Sequence, residues 1–278
     1  MFYFVRARGS IRLDCRSSGV IVSDCPMPIS HAIDSGIAEV VMNNPPVNAL
    51  DVAGWHELAS LLRKLGEDPA VRVVILRAEG RGFNAGVDIK EMQRTSGFEA
   101  LIGANRGCAA AFAAVYECEV PVIAAVHGYC LGGGIGLVGN ADIVIASTDA
   151  TFALPEVDRG ALGAATHLAR LVPHHKMRAM VYTCAPATAA ELFAYGSVLR
   201  VVPVAELRPA ARQVAADIAK KSPTVIRAAK QSLNGIDPID VKRSYRYEQG
   251  FTFELNLAGV ADEARDAFVS KKDPKFSR

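Results

Sequence analysis

Two carboxylates, Glu156 and Asp158, stand two residues apart in the segment LPEVDRG. Neighbouring acids drive their pKa values apart, which leaves one able to carry a proton near neutral pH, as general acid–base chemistry requires. Whether they serve one spot depends on the backbone. In an extended segment both side chains fall on the same side; in a helical one they point apart. Asp158 has a second reading, as a partner of the adjacent Arg159 or a solvated loop acid. The other candidate feature offers no reactive side chain. In HGYCLGGGIGL, Gly132, Gly133 and Gly134 lead into an apolar stretch that holds Gly136. Such a junction leaves N–H groups bare at a helix start, where the helix dipole is positive. GRGFNAGVDIKEM, residues 80–92, is a second junction of this kind. Two N–H groups aimed at one point would hold a developing oxyanion. Neither junction has the G-x-G-x-x-G spacing with a downstream acid, or the G-x-x-x-x-G-K run, of a nucleotide loop.

The elements that must position these groups read as stacked β-α units. ISHAIDSGIAEVVMN is a hairpin, with Asp34, Ser35 and Gly36 at the turn and Ala38, Val40 and Met42 alternating beyond it. NPPVNALD is a loop, and residues 51–66 form an amphipathic helix. VRVVILRAEG, VPVIAAV and ADIVIAS are continuously apolar, as strands of a parallel sheet are. Asp88 and Glu91 have the spacing of a capping box that opens a helix at Ile89. A further helix covers residues 104–118, and another follows the glycine run. Beyond residue 160 only VLRVVP, residues 198–203, reads as a strand. Residues 205–220, 223–235, 238–257 and 260–271 read as helices. The expected organisation is an α/β core over 27–200 and a helical region over 201–278.

Composition narrows the function classes. The chain has 278 residues, half of them hydrophobic, with a net charge of +2. No strong field recommends nucleic acid or an anionic membrane as a partner. The cysteines, at 15, 25, 108, 118, 130 and 184, form no C-x-x-C pair and no zinc spacing, so reduced thiols and no metal are expected. Residues 1–26 are Arg-rich and without clear periodicity. They read as a disordered extension or as a product of an upstream start, with Met27 as the natural one, rather than as a targeting peptide.

Taken together, GFNAGVDIKEM, HGYCLGGGIGL and ADIVIAS…ATFALPEVDRGALG resemble the enoyl-CoA hydratase/isomerase family, the crotonases. NPPVNAL and the tail DAFVSKKDPKF extend the resemblance from Met27 to the C-terminus. The resemblance implies a crotonase-like stacked ββα superhelix with a C-terminal helical trimerisation region, in a cytoplasmic homotrimer or dimer of trimers. It implies an acyl-CoA thioester substrate and no cofactor beyond that coenzyme A. It also implies an oxyanion hole from the N–H groups of Val87 and Gly133. Ala85, Gly86, Asp88, Ile89 and Lys90 would contact CoA or substrate, and Lys271 and Lys272 either meet CoA phosphates or lie in a solvated tail.

Hydratases of that family carry one glutamate two residues beyond the glycine run and a second in the P-E of F-x-x-P-E. Here the first position is Gly136 and the second is Glu156. Water addition to a double bond uses both carboxylates, so simple hydration is disfavoured. The missing side chain at 136 is expected to leave room for a bulkier acyl group. GALGAATHLARLVP and YRYEQGFTFELNLAGVADE are similar to the branch of the family that hydrolytically opens a steroid-derived bicyclic acyl-CoA, a retro-Claisen C–C cleavage. Glu156 or Asp158 would be the base for water. The alternatives are an enoyl-CoA isomerase or hydratase, and a non-catalytic acyl-CoA-binding subunit. His127 either orients water or closes a strand end. His167 lines the pocket or belongs to core or surface. Asn84 contacts substrate or braces its turn. Tyr245, Tyr247, Glu248 and Glu254 either close the acyl pocket or pack between subunits.

Overall fold

The computed structural model describes residues 28–95, 97–270 and 272. The expectations for residues 1–26 and for Lys271 lie outside these. In chain order the core elements are β1 (Ile29–Asp34), β2 (Ile37–Met42), α1 (Val52–Glu67), β3 (Val73–Ala78), α2 (Ile89–Arg94), α3 (Glu99–Tyr116), β4 (Val122–Val126), β5 (Tyr129–Leu131), α4 (Gly133–Val138), β6 (Ile143–Ser147) and β7 (Thr151–Ala153). Then come α5 (Ala165–Leu168), α6 (His174–Thr183), β8 (Ala187–Thr188), α7 (Ala189–Ala194), β9 (Arg200–Val202), α8 (Val204–Ala219), α9 (Pro223–Gly235), α10 (Val241–Leu257) and α11 (Val260–Ser270). A six-stranded sheet runs β1-β2-β3-β4-β6-β9, and β5-β7-β8 form a second, small sheet. From β2 to β9 the large sheet is parallel; only β1 is antiparallel, joined to β2 through Ser35 and Gly36, both at positive φ.

The apolar runs divide with the period of two that a doubly covered sheet requires. Val74, Leu76, Val122, Ala124 and Val126 face α1 and α3, where Trp55, Leu58, Leu62, Phe112 and Val115 complete one core. Val73, Ile75, Ile123, Ala125 and Ile145 face α8, which supplies Leu207, Ala210, Ala211 and Ala215. Both β9 and α8 therefore belong to the sheet layers, and the α/β core expected to end at residue 200 runs on to Ala219. Helix α3 begins at Glu99, five residues before the expected start. The capping box is also corrected. Asp88 caps α2 through the Lys90 N–H at 2.9 Å, but Glu91 reaches across to the Val52 N–H at 2.9 Å, because the Asp88 N–H is already given to the Leu50 carbonyl.

Strand β2 is buried on both faces, not one, and this places Glu39 inside with 4% exposure. Arg77 on β3 and Arg208 and Arg212 on α8 surround its carboxylate. Burial alone would raise its pKa; hydrogen bonds from Arg208, Arg212 and Arg77 outweigh it and hold the group at about 2. The stabilisation is therefore complete above the ordinary value of 4.5 and is lost as pH falls toward 2. Glu39→Gln is expected to cost about 2 kcal/mol at pH 7 in urea unfolding. The variant should also lose part of the wild-type decline in stability between pH 4.5 and 2.

Candidate active site

The first junction is held by a chain of asparagines. Asn48, itself at positive φ, accepts from the Asn44 N–H at 2.7 Å and donates to the carbonyls of Glu79 and Gly82. Its own carbonyl accepts from the buried Asn84 side chain at 2.5 Å, and the Asn84 Oδ1 takes the Gly86 N–H at 2.8 Å. Asn84 thus braces the turn. The Leu50 N–H donates to the Gly86 carbonyl and the Asp88 N–H to the Leu50 carbonyl, both at 2.9 Å. These bonds bracket Val87 and leave its N–H facing the other way; among the described residues it has no acceptor, and neither does the Gly133 N–H. The two amides are brought together at Gly86, whose φ is +85° and whose missing Cβ would stand 3.1 Å from the Gly133 nitrogen. Only glycine leaves that approach open.

The glycine run is equally specific. A Cβ on Gly132, at φ +55°, would lie 2.5 Å from the Glu156 Oε1; one on Gly133 would meet the Trp55 ring at 2.7 Å, and one on Gly134 the Asn84 carbonyl at 2.8 Å. The run lets the carboxylate, an indole and the braced turn close around one helix start. Gly136 corrects an expectation. It leaves no room for substrate, because Phe112 fills the space: a Cβ there would stand 2.2 Å from the Phe112 Cζ. The ring is 2% exposed and packs against Trp55, His167 and Tyr245 at centroid distances of 5.6, 5.0 and 5.1 Å. Gly136→Ala is therefore expected to destabilise by about 1–3 kcal/mol, seen as a lowered Tm, through overpacking. Phe112→Leu in the same chain should recover part of that loss.

A cavity of about 140 Å³ opens beside the two free amides. Ala85, Gly86, Val87, Ile89, Gly132 and Gly133 form one side, and Met92, Leu101, Cys108 and Phe112 an apolar wall. Segment Ala161–Ala164 closes another side, pinned to α10 by the Thr252 hydroxyl, which takes the Leu162 N–H at 2.9 Å. Helices α10 and α11 roof the cavity with Tyr245, Thr252, Asn256 and Arg265.

Glu156 and Asp158 part company. Residues 157–159 form a 3₁₀ turn entered by Glu156 at φ −63°, ψ −39°, so the helical alternative holds and the two carboxylates diverge. Glu156 lines the cavity with its Oε2 buried and unpartnered, and burial pushes its carboxyl up to about 7. Asp158 is exposed and lies outside the cavity. Gly160 ends the turn at φ +64°, so tightly against α11 that a Cβ would stand 2.6 Å from the Ala261 Cα.

The remaining candidates are dispersed. Asp88, the half-buried N-cap of α2, and the exposed Lys90 are not among the lining residues, and Lys272 is exposed. His127 donates from Nε2 to the Gly80 carbonyl at 3.0 Å, remote from the cavity. His167 sits behind Phe112 and Tyr245. Its Nδ1 accepts from Asn140 at 2.9 Å, its Nε2 is unpartnered, and burial lowers its pKa to about 3. Glu248 accepts from the N–H groups of Ala165 and Thr166 at 2.9 and 2.7 Å and so caps α5 from a distance. Tyr247, 71% exposed, and Glu254 face outward; of the four residues named on α10, only Tyr245 lines the cavity. Asn105, Arg159, Asn256 and Arg265 line it without having been singled out. Arg159 carried a signal, being three residues from Glu156, which is one turn once the segment is known to be helical.

Residues 32–278 match the enoyl-CoA hydratase/isomerase family. Over 250 residues the chain is 64% identical to a protein of Rhodococcus jostii named (7aS)-7a-methyl-1,5-dioxo-2,3,5,6,7,7a-hexahydro-1H-indene-carboxyl-CoA hydrolase, covering 90% of this chain and 97% of that one. A Mycobacterium tuberculosis protein of the same name is 64% identical over 246 residues, covering 88% and 100%. Among solved structures, a carnitinyl-CoA hydratase from Mycobacterium avium superposes with a TM-score of 0.80 at 27% identity, over 91% of this chain and 99% of that one.

Proposed function

This chain belongs to the enoyl-CoA hydratase/isomerase family, and from that premise we propose that it hydrolyses a C–C bond in the ring of a bicyclic, diketone-bearing acyl-CoA. The observation that carries this reading is a single carboxylate, Glu156, beside two acceptor-free amides, with Phe112 packed where a second acid would stand. The names of the two relatives at 64% identity support the same substrate class. The thioester oxygen sits between the N–H groups of Val87 and Gly133, which stabilise the enolate that forms as the ring bond breaks. Glu156 removes a proton from water as it adds to a ring ketone and returns it to carbon after cleavage. No cofactor is needed beyond the coenzyme A of the substrate. Exposed apolar side chains on α9 and at its C-terminal end, Val225, Leu233 and Ile236, support assembly into trimers. No helix among the described residues is long and apolar enough to cross a membrane.

The test is incubation with the bicyclic diketone carboxyl-CoA in ¹⁸O-water, followed by mass spectrometry. Gain of one labelled water with ring opening is the expected result; a mass-neutral double-bond shift would replace this reading with isomerisation. Because Glu156 acts as a base from a carboxyl raised to about 7 by burial, kcat/KM should climb with pH through that value and level off above it.

A further inference from the structure

Arg159 takes no part in the chemistry above, yet it lines the same cavity one turn beyond Glu156. Its Nε is buried without a hydrogen-bond partner. Its Nη1 lies 3.5 Å from the Pro155 carbonyl, at the outer limit of a hydrogen bond. Among the described residues no carboxylate stands within 4.0 Å of it. The Phe268 ring, 4.3 Å from Cζ to centroid, packs against the guanidinium. The other cavity arginine, Arg265, is already bonded to Asn256 and Asp262. One cationic fork is thus held in an apolar-walled cavity with donors to spare. Glu156 and Asp158 act on the guanidinium electrostatically from beyond ion-pair distance, so its donors stay unfilled. A half-buried donor without an acceptor is costly, and a ligand oxygen is the group that would complete it.

We propose that Arg159 receives the second oxyanion of the reaction, at the end of the acyl group away from the thioester. This rests on the hydrolytic reading above. Glu156 takes a proton from water, and the hydroxide oxygen bonds to the ring ketone carbon. The carbonyl electron pair moves onto the ketone oxygen, which becomes an alkoxide against Arg159. Re-formation of that carbonyl breaks the neighbouring ring C–C bond. The electron pair runs through the conjugated system to the thioester oxygen between Val87 and Gly133, and Glu156 returns its proton to carbon. The new acid group loses its proton to solvent and stands as a carboxylate facing Arg159, with one water consumed. Arginine suits both stages, since its planar fork binds a two-oxygen anion through paired hydrogen bonds.

Calorimetric titration of the whole chain with adipoyl-CoA and hexanoyl-CoA separates this role from others, because the two differ by a terminal carboxylate. Wild type should bind adipoyl-CoA at least about tenfold more tightly, and Arg159→Met should erase that preference while leaving hexanoyl-CoA within about threefold. Arg159→Lys, which keeps the charge but not the fork, should retain part of the preference. Ring-opening kcat should fall about 10²–10³-fold in Arg159→Met. Equal weakening of both ligands would place Arg159 on the coenzyme or in packing and overturn the proposal. So would an unchanged preference in Arg159→Met, or, should that variant not fold, a wild-type preference and rate in Arg159→Lys. If wild type shows an Arg159-dependent carboxylate preference but opens no ring, the hydrolytic reading falls and the assignment of Arg159 to an anionic acyl end stands.

Discussion

Glu156→Gln lowers ring-opening kcat by about 10³–10⁴-fold, because one group both activates water and returns the proton. The amide keeps the shape of the carboxyl but cannot accept a proton, so acyl-CoA affinity should change by less than about tenfold. Stability should move the other way. The carboxyl is buried with Oε2 unpartnered, and its folded pKa of about 7 lies above the ordinary 4.5. The folded state therefore holds a proton that the unfolded state has released, and stability falls as pH rises from 4.5 to 7. The Gln variant lacks that decline and should melt higher than wild type at pH 8. A variant that is inactive and less stable at pH 8 would indicate that Glu156 holds the fold together rather than performing chemistry. Retained activity would move the base elsewhere.

Gly86→Ala is the second large effect, with kcat/KM expected to fall about 10²–10³-fold. The added methyl would point at the Gly133 nitrogen from 3.1 Å and close the space where the thioester oxygen must lie. It would also impose a left-handed backbone on a side chain, at a cost of about 1–2 kcal/mol. These two consequences can be separated. Gly80 has nearly the same φ, +84°, with nothing within 4 Å of its missing Cβ. Gly80→Ala should therefore lower Tm by a similar amount and leave kcat/KM near wild type. If both variants lose activity alike, backbone strain rather than access to the two amides is responsible.

The sheet and its covering helices were legible because burial on both faces writes itself as unbroken apolar runs, and amphipathic helices as a 3.6-residue rhythm. The second sheet was not: Tyr129–Leu131, Thr151–Ala153 and Ala187–Thr188 are two or three residues long, too short for any period. Helix α6 escaped for another reason, since only Met180 of its ten residues is buried. In the site, the glycines and Glu156 could be located from their motif. The outward turn of Asp158 could not, because LPEVDRG is compatible with either backbone. Contacts between remote segments were also beyond local reading. Glu91 capping α1, Glu248 capping α5 and Phe112 lying over Gly136 each join positions far apart in the chain.

The contact between Phe112 and Gly136 also bears on which neighbouring sequences this protein can reach. A glutamate at 136 is the change that would supply a second acid, yet with Phe112 in place the first atom of that side chain already collides. A smaller residue at 112 has to come first, and alone it opens a hole between Trp55, His167 and Tyr245 that costs about 3–5 kcal/mol for Phe→Ala. Each single step is penalised and only the pair is tolerable. The aromatic ring acts as a latch: while it fills that space, two-acid chemistry lies two coordinated substitutions away.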